Sequence, residues 1–393
     1  MILTLPAVNK NDDIEILRAV AILFTLILHV KIILSSSYDH FGWFFRTTDL
    51  SIGVDLFFVI SGYVITNSLK ASVKPGSHSR ATLILSFWIK RIYRLLPAAW
   101  LWVIVAIVFY MTTSQLDDHL IQLIAAALNV MNLYTAYCFS NPSETFFCAD
   151  VSYMNVFHMN SHYWSLSLEE QFYLIFPLLF FFLNRKVFLL LLTIAILLQL
   201  FWHRPFFTFG WFLKTDGLCW GVLLSFLSSS AVYKHPGNWL EKNRRPALLF
   251  FFMLIGLLPV VSANTQGLCN TAKPYGVGLI AFLSAILVWM ASYNHNLFGN
   301  RTRYKKVMLY LGSRSYSLYL SHLAIFMILD TGRVRLIPQF GSPLQEHLVV
   351  AFLIFLAISL SLLASELTYR YIELPFRNRG RGISKTVLAK HTL

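Results

Sequence analysis

The strongest constraint on this chain is a succession of apolar stretches, each close to the roughly 20 residues an α-helix needs to cross a bilayer, separated by short basic loops. Backbone N–H and C=O groups in hydrocarbon must be satisfied within the segment, so stretches of this kind fold as helices. Of the 393 residues, 57% are hydrophobic and 13% are charged, against about 25% charged in soluble domains. The expected fold is therefore all-α, a polytopic integral membrane bundle of about ten transmembrane helices. These are placed at residues 14–34, 50–69, 95–112, 166–183, 187–203, 209–229, 246–262, 275–293, 307–329 and 347–369.

The placement rests on charge as well as hydropathy. Basic clusters such as Arg185 and Lys186, then Lys242, Arg244 and Arg245, then Arg303, Lys305 and Lys306 fall in alternate loops, which puts those loops and both termini in the cytoplasm. The segment 120–137, LIQLIAAALNVMNLYTAY, is apolar enough to count, yet a full span there would invert every later loop against this bias. It is read as re-entrant or interfacial. The net charge of +14 is dispersed in such loop clusters, which orient helices, and nucleic-acid binding is not expected. No cleavable signal peptide is evident, because the first apolar segment follows the acidic NDDIE and lacks a basic leader. A single membrane domain over 1–393, without an appended soluble catalytic domain, is the expected organisation. Of four cysteines, Cys219 falls within a helix and Cys138, Cys148 and Cys269 in outer loops. Cys138 and Cys148 either pair in an oxidising compartment or stay as free thiols.

Ionisable groups at membrane depth are costly and normally pair, face the bundle interior or serve function. Arg18 and His29 lie eleven positions apart on the first span, which puts them about 20° apart in azimuth and ~16 Å apart in height. A neutral imidazole at His29 can take a proton from a hydroxyl and return it to a leaving group; its bland alternative is an interhelical hydrogen bond. Arg18 has Glu15 one turn earlier as an alternative partner. In KRIYR, Arg91 and Arg94 share a helix face with Lys90 nearby, a cluster suited to a polyphosphate or to anchoring on anionic headgroups of the membrane lipids. Glu169 and Glu170, in YWSLSLEEQFYLIFP (163–177), read either as acids at a helix start or as carboxylates that orient or deprotonate an acceptor. Tyr163, Trp164, Trp43 and Trp211 suit stacking on sugar rings or an interfacial aromatic belt. His158 and His162 are spaced i, i+4, but no carboxylate completes a metalloprotease pattern and no metal site is expected. P-loop, Rossmann and nucleophile-elbow motifs are absent from the sequence.

Taken in order, these motifs resemble the acyltransferase-3 family of integral membrane O-acyltransferases. The resemblance is carried by IEILRAVAILFTLILH with its R-x10-H, GVDLFFVISGYVIT at 53–66, Arg91 and Arg94, YWSLSLEEQFYLIFP, LGSRSYSLYLSHLAIF at 311–326 and YRYIELPFR at 369–377. It implies ten membrane helices in a bacterial inner membrane. It also implies an acyl-CoA donor, commonly acetyl-CoA, and as acceptor a hydroxyl of a surface polysaccharide, such as an O-antigen, or of a lipid-linked saccharide. By the same resemblance His29 is catalytic with Arg18 in support, Arg91, Arg94 and Lys90 contact the donor, and Glu170 is a site residue. Glu169, Trp164 and His322 are weaker candidates on the acceptor side, while His322 and Glu373 match motif positions whose roles stay open. No permanently bound cofactor is implied. Many relatives add a soluble hydrolase-like domain, which this chain is expected to replace by direct transfer within the membrane or by a separate partner protein. A transporter or flippase for a lipid-linked saccharide is the competing class, since it too needs polar groups along a helix-lined path. A scaffold subunit, indifferent to His29, is the third.

Overall fold

The computed structural model describes residues 11–34, 38–73, 78–141, 158–206, 208–266, 273–299, 303–336 and 343–390. These form α1 (Asp12–His29), α2 (Tyr38–Thr47), α3 (Ile52–Ser72), α4 (Arg80–Thr112), α5 (Leu116–Ala127), α6 (Met131–Ser140), α7 (Tyr163–Phe182) and α8 (Arg185–Leu200). There follow a single turn α9 (Phe209–Phe212), α10 (Asp216–Leu227), α11 (Ala231–Lys242), α12 (Arg244–Thr265), α13 (Gly276–Ser292), α14 (Arg303–Leu336), α15 (Pro343–Thr368) and α16 (Leu374–Lys390). Among the described residues there is no strand. Among the described residues, five helical stretches are long and apolar enough to cross a membrane, namely α3, α4, α7, α12 and the run Glu346–Lys390. The protein is thus an all-helical integral membrane protein.

The helix ends do not all coincide with the expected span limits. The first span was expected to reach residue 34, but α1 ends at His29 and passes into a 3₁₀ turn at Val30–Ile32. Its start is set by Asn11, whose side chain accepts from the Ile14 N–H at 3.0 Å, with Asp12, Asp13 and Glu15 in the dipole-favoured first turn. α4 begins at Arg80 rather than at residue 95, because Ser79 caps it by accepting from the Thr82 N–H. The segment 120–137 is not one helix: Asn129, at φ 55°, breaks it between α5 and α6. The stretch 209–229 is likewise broken between α9 and α10, where Lys214 and Asp216 turn inward to buried partners. Helices α11 and α16 occupy stretches expected to be loop and tail. Cys138 is buried in α6 and disulfide-bonded, whereas Cys148 and Cys269 lie outside the described residues.

The centre of the bundle is built from α1, α3, α10 and α14, which pack on one another. Glycines allow the close approach. A Cβ on Gly312 of α14 would stand 2.0 Å from the Glu15 carbonyl oxygen of α1, and one on Gly221 of α10 would stand 2.2 Å from the Val59 carbonyl oxygen of α3. Small residues at crossings serve this purpose in membranes, where tight packing replaces a hydrophobic driving force between helices. The peripheral helices carry the outward apolar surface, with Ile104 and Val108 on α4, Leu197 and Leu198 on α8, Leu249 on α12 and Phe355 on α15 all exposed. Gly221→Leu should lower the thermal unfolding midpoint in detergent by several degrees, since overpacking costs about 1–3 kcal/mol or more. Gly256→Ala, with nothing within 4 Å of the added carbon, should leave it unchanged.

Candidate active site

A cleft lies among α1, α3, α4, α7 and α14. Its polar lining is Arg18, Arg91 and Arg94 with Glu169, and Ser61, Ser165, Ser315 and Tyr319 continue it inward. The helices dictate this set. Arg91 and Arg94 share one face of α4 by their three-residue spacing, and Ser315, Tyr319 and His322 recur at i, i+4, i+7 on α14. Apolar walls come from Val54, Phe57, Phe58, Val64 and Leu166.

The three arginines stand close enough for Arg91 to feel the charges of both Arg94 and Arg18. The Nε of Arg18 and that of Arg94 are buried without a hydrogen-bond partner among the described residues. Arg91 lies over the Phe87 and Tyr173 rings, 5.4 and 5.6 Å from their centroids. Glu169 answers part of this charge and accepts hydrogen bonds from the Ser61 and Tyr173 hydroxyls. Guanidinium donors left open in an apolar wall are what a phosphate-bearing ligand would occupy.

Beyond the inner wall sits a cluster of histidines. His29 Nδ1 is 2.8 Å from the Thr25 carbonyl oxygen and 3.2 Å from His322 Nε2, and His322 Nδ1 is 3.2 Å from the Leu318 carbonyl oxygen. A carbonyl only accepts, so both neutral rings carry their proton on Nδ1. His322 Nε2 then accepts a share of the His29 proton, and the basic nitrogen of His29 is Nε2. His162 completes the group with its ring 5.3 Å from that of His322, and all three are buried. Tyr319 separates them from the cleft. Its hydroxyl donates to the His162 carbonyl at 3.1 Å and lies 2.6 Å from the Ser165 hydroxyl, and its ring is 5.1 Å from His162 and 5.7 Å from His322.

The structure brings Arg18, Arg91, Arg94 and Glu169 to one cleft and sets His29 and His322 in direct contact behind it. Lys90 does not line the cleft and lies within electrostatic reach of both Arg91 and Arg381. Glu170 does not line the cleft either: neighbours on a helix differ by about 100°, and it is Glu169 that lines it. Its Oε1 is buried without a hydrogen-bond partner among the described residues. Neither acid lies in the first turn of α7, which removes the helix-start reading. Trp164 packs 4.6 Å from Trp211, beside the buried Lys214, so these two form an internal cluster and not an interfacial belt. Trp43 is 72% exposed. His158 sits against His119 and His162 against His322, on a non-helical turn, so the i, i+4 spacing has no geometric consequence. Sequence reading passed over Ser61, Tyr173 and Tyr319, and weighed His162 only as a metal ligand. Their signal was hydroxyl and imidazole groups recurring at helical spacing inside motifs otherwise read for their charges.

A family model described as an acyltransferase domain matches residues 11–366, and the chain belongs to this family, acyltransferase-3. A Staphylococcus aureus (strain COL) protein provisionally named an O-acetyltransferase is 29% identical over 395 residues, covering 93% of this chain and 57% of its own length. The O-acetyltransferase OatA of Staphylococcus aureus (strain NCTC 8325 / PS 47) is 28% identical over 357 residues, covering 84% of this chain and 53% of its own. The chain thus spans a little over half the length of these relatives. No solved structure matches it at a significant level.

The shared proton makes a spectroscopic prediction. In protein labelled with ¹⁵N-histidine, His29 and His322 should both show the Nδ1–H tautomer near neutral pH. His322→Ala should shift the His29 resonances without unfolding the protein, whereas resonances indifferent to that change would refute the contact.

Proposed function

We propose that this protein is an integral membrane O-acyltransferase that moves an acyl group, in the first instance acetyl, from cytoplasmic acyl-CoA to a hydroxyl of a surface polysaccharide or lipid-linked saccharide. The observation that carries this reading is the convergence of Arg18, Arg91 and Arg94 on one cleft whose inner wall abuts the His29–His322 pair. The O-acetyltransferase names of the relatives support the reaction class. With the basic loops inside, the arginine end of the cleft opens to the cytoplasm in a ten-span arrangement with both termini cytoplasmic, set in a bacterial inner membrane.

In this mechanism Arg18, Arg91 and Arg94 hold the donor's diphosphate. The rise along α1 from Arg18 to His29 is ~16 Å, a reach that an extended pantetheine arm spans, and the thioester arrives once the Tyr319 side chain turns aside. His29 Nε2 takes the proton of the acceptor hydroxyl as its oxygen attacks the thioester carbonyl. The C–S bond breaks, and the thiolate leaves with the proton returned by the imidazolium. His322 holds His29 in the tautomer this requires. A separate partner protein presenting the acceptor is compatible with this scheme.

Purified protein in lipid vesicles, given radiolabelled acetyl-CoA and a hydroxyl acceptor, tests the reading. His29→Ala should lower transfer by about 10²–10⁴-fold, the usual contribution of a general base. Arg94→Ala should chiefly weaken donor binding, by about 10–100-fold for a lost charge-assisted contact. Full activity in folded His29→Ala protein sinks the mechanism. Label retained on the protein without acceptor would instead show His29 as a transient acyl carrier.

A further inference from the structure

The helix α16 lies along the first half of α4. A Cβ on Gly380 would stand 2.4 Å from the Tyr93 Cβ and 3.4 Å from the Ile89 carbonyl oxygen, and the Ser86 and Ser384 hydroxyls are 2.7 Å apart. This packing brings a second set of cations to the side of α4 that adjoins the cleft. Arg381 comes within electrostatic reach of Arg94, Arg377 and Lys90. Arg377 is poorly satisfied, with its Nε buried and without a hydrogen-bond partner among the described residues, Nη1 3.5 Å from Glu373 Oε1 and Nη2 3.4 Å from the Tyr369 hydroxyl. The other oxygen of Glu373 is taken by the Ser317 hydroxyl at 2.8 Å. A five-residue π turn, Tyr369–Glu373, sets the direction in which α16 leaves α15, and such turns concentrate at functional sites.

Arg94 therefore belongs to two groups at once, the cleft arginines and the α16 cations. Held together by helix packing, these like charges repel one another, and a bound polyanion relieves that repulsion. We propose that Arg377 and Arg381, with Lys90, form an outer anion site that grips the terminal ribose phosphate of a nucleotide-bearing donor, while Arg18, Arg91 and Arg94 grip its diphosphate. The proposal rests on the acyl-CoA reading and extends it to residues outside the cleft. It also gives Lys90, which does not line the cleft, a ligand to meet. The same cations could take their phosphate from a lipid headgroup, and the test separates the two sources.

The probes are coenzyme A and 3′-dephospho-coenzyme A, which differ by that one phosphate. Their affinities are measured on the full chain in nanodiscs of neutral lipid, and retention of anionic lipid is measured in parallel. Wild type should bind coenzyme A about tenfold more tightly than the dephospho form, as one charge-assisted phosphate contact implies. In Arg377→Gln/Arg381→Gln the ratio should fall to about one, with affinity for the dephospho form unchanged. Arg381→Gln alone, at an exposed position, should lower the ratio part of the way. A wild-type ratio near one, or a ratio that the variants leave unchanged, overturns the proposal and leaves the donor reading standing. Variants that lose only their retention of anionic lipid also overturn it and assign the pair to a headgroup. Wild type that binds neither probe overturns the donor reading itself, and this site with it.

Discussion

The contact on which the rest depends is the approach of α14 to α1 at Gly312. With only a hydrogen on its Cα, Gly312 lets α14 lie directly on the Glu15 carbonyl. Arg18 is three residues beyond that point on α1, and Ser315 is three beyond it on α14, so both open into the same cleft. Further along the same pair of helices, His29 and His322 meet at 3.2 Å. A larger residue at Gly312 would push the helices apart, and the imidazole contact would be lost with the cleft, because both follow from one crossing.

Around that crossing, charge in an apolar interior is handled in two ways. Where it is structural, it is paired. Lys214 meets Asp55 at 3.0 Å, and Arg204 forks onto Asp216 at 2.6 and 2.7 Å, all four being buried. Such pairs offset the desolvation of ions that would be costly if left alone. Where Arg18 and Arg94 enter the cleft, each keeps a buried guanidinium nitrogen unmatched among the described residues. Uncompensated donors are expensive to maintain, and the proposed donor phosphates would satisfy them.

The sequence was legible where one helix carries the information. The i, i+3 pair of Arg91 and Arg94 and the i, i+11 pair of Arg18 and His29 could be placed on common faces from helical periodicity alone, and the structure brings both arginine positions of the first pair and Arg18 to one cleft. It was less legible at boundaries. Ser79 caps α4 long before the apolar run begins, and a left-handed Asn129 breaks a segment whose hydropathy is continuous. The order of the two acids was also hidden: adjacent residues on α7 point about 100° apart, and nothing local states which direction is inward.

Hydropathy, loop charge and helical spacing by themselves determined that this chain is an all-helical membrane protein, and they singled out Arg18, His29, Arg91 and Arg94 as out of place in apolar surroundings. These are properties of single segments, and a helix carries them in its own period. Tertiary structure alone decided that Glu169 and not Glu170 answers the arginines, that His322 shares the proton of His29, and that α16 lies beside Arg94. Each of those facts depends on the rotation and crossing of two helices far apart in the chain. Crossings are set by where glycines let backbones touch, which no single segment records.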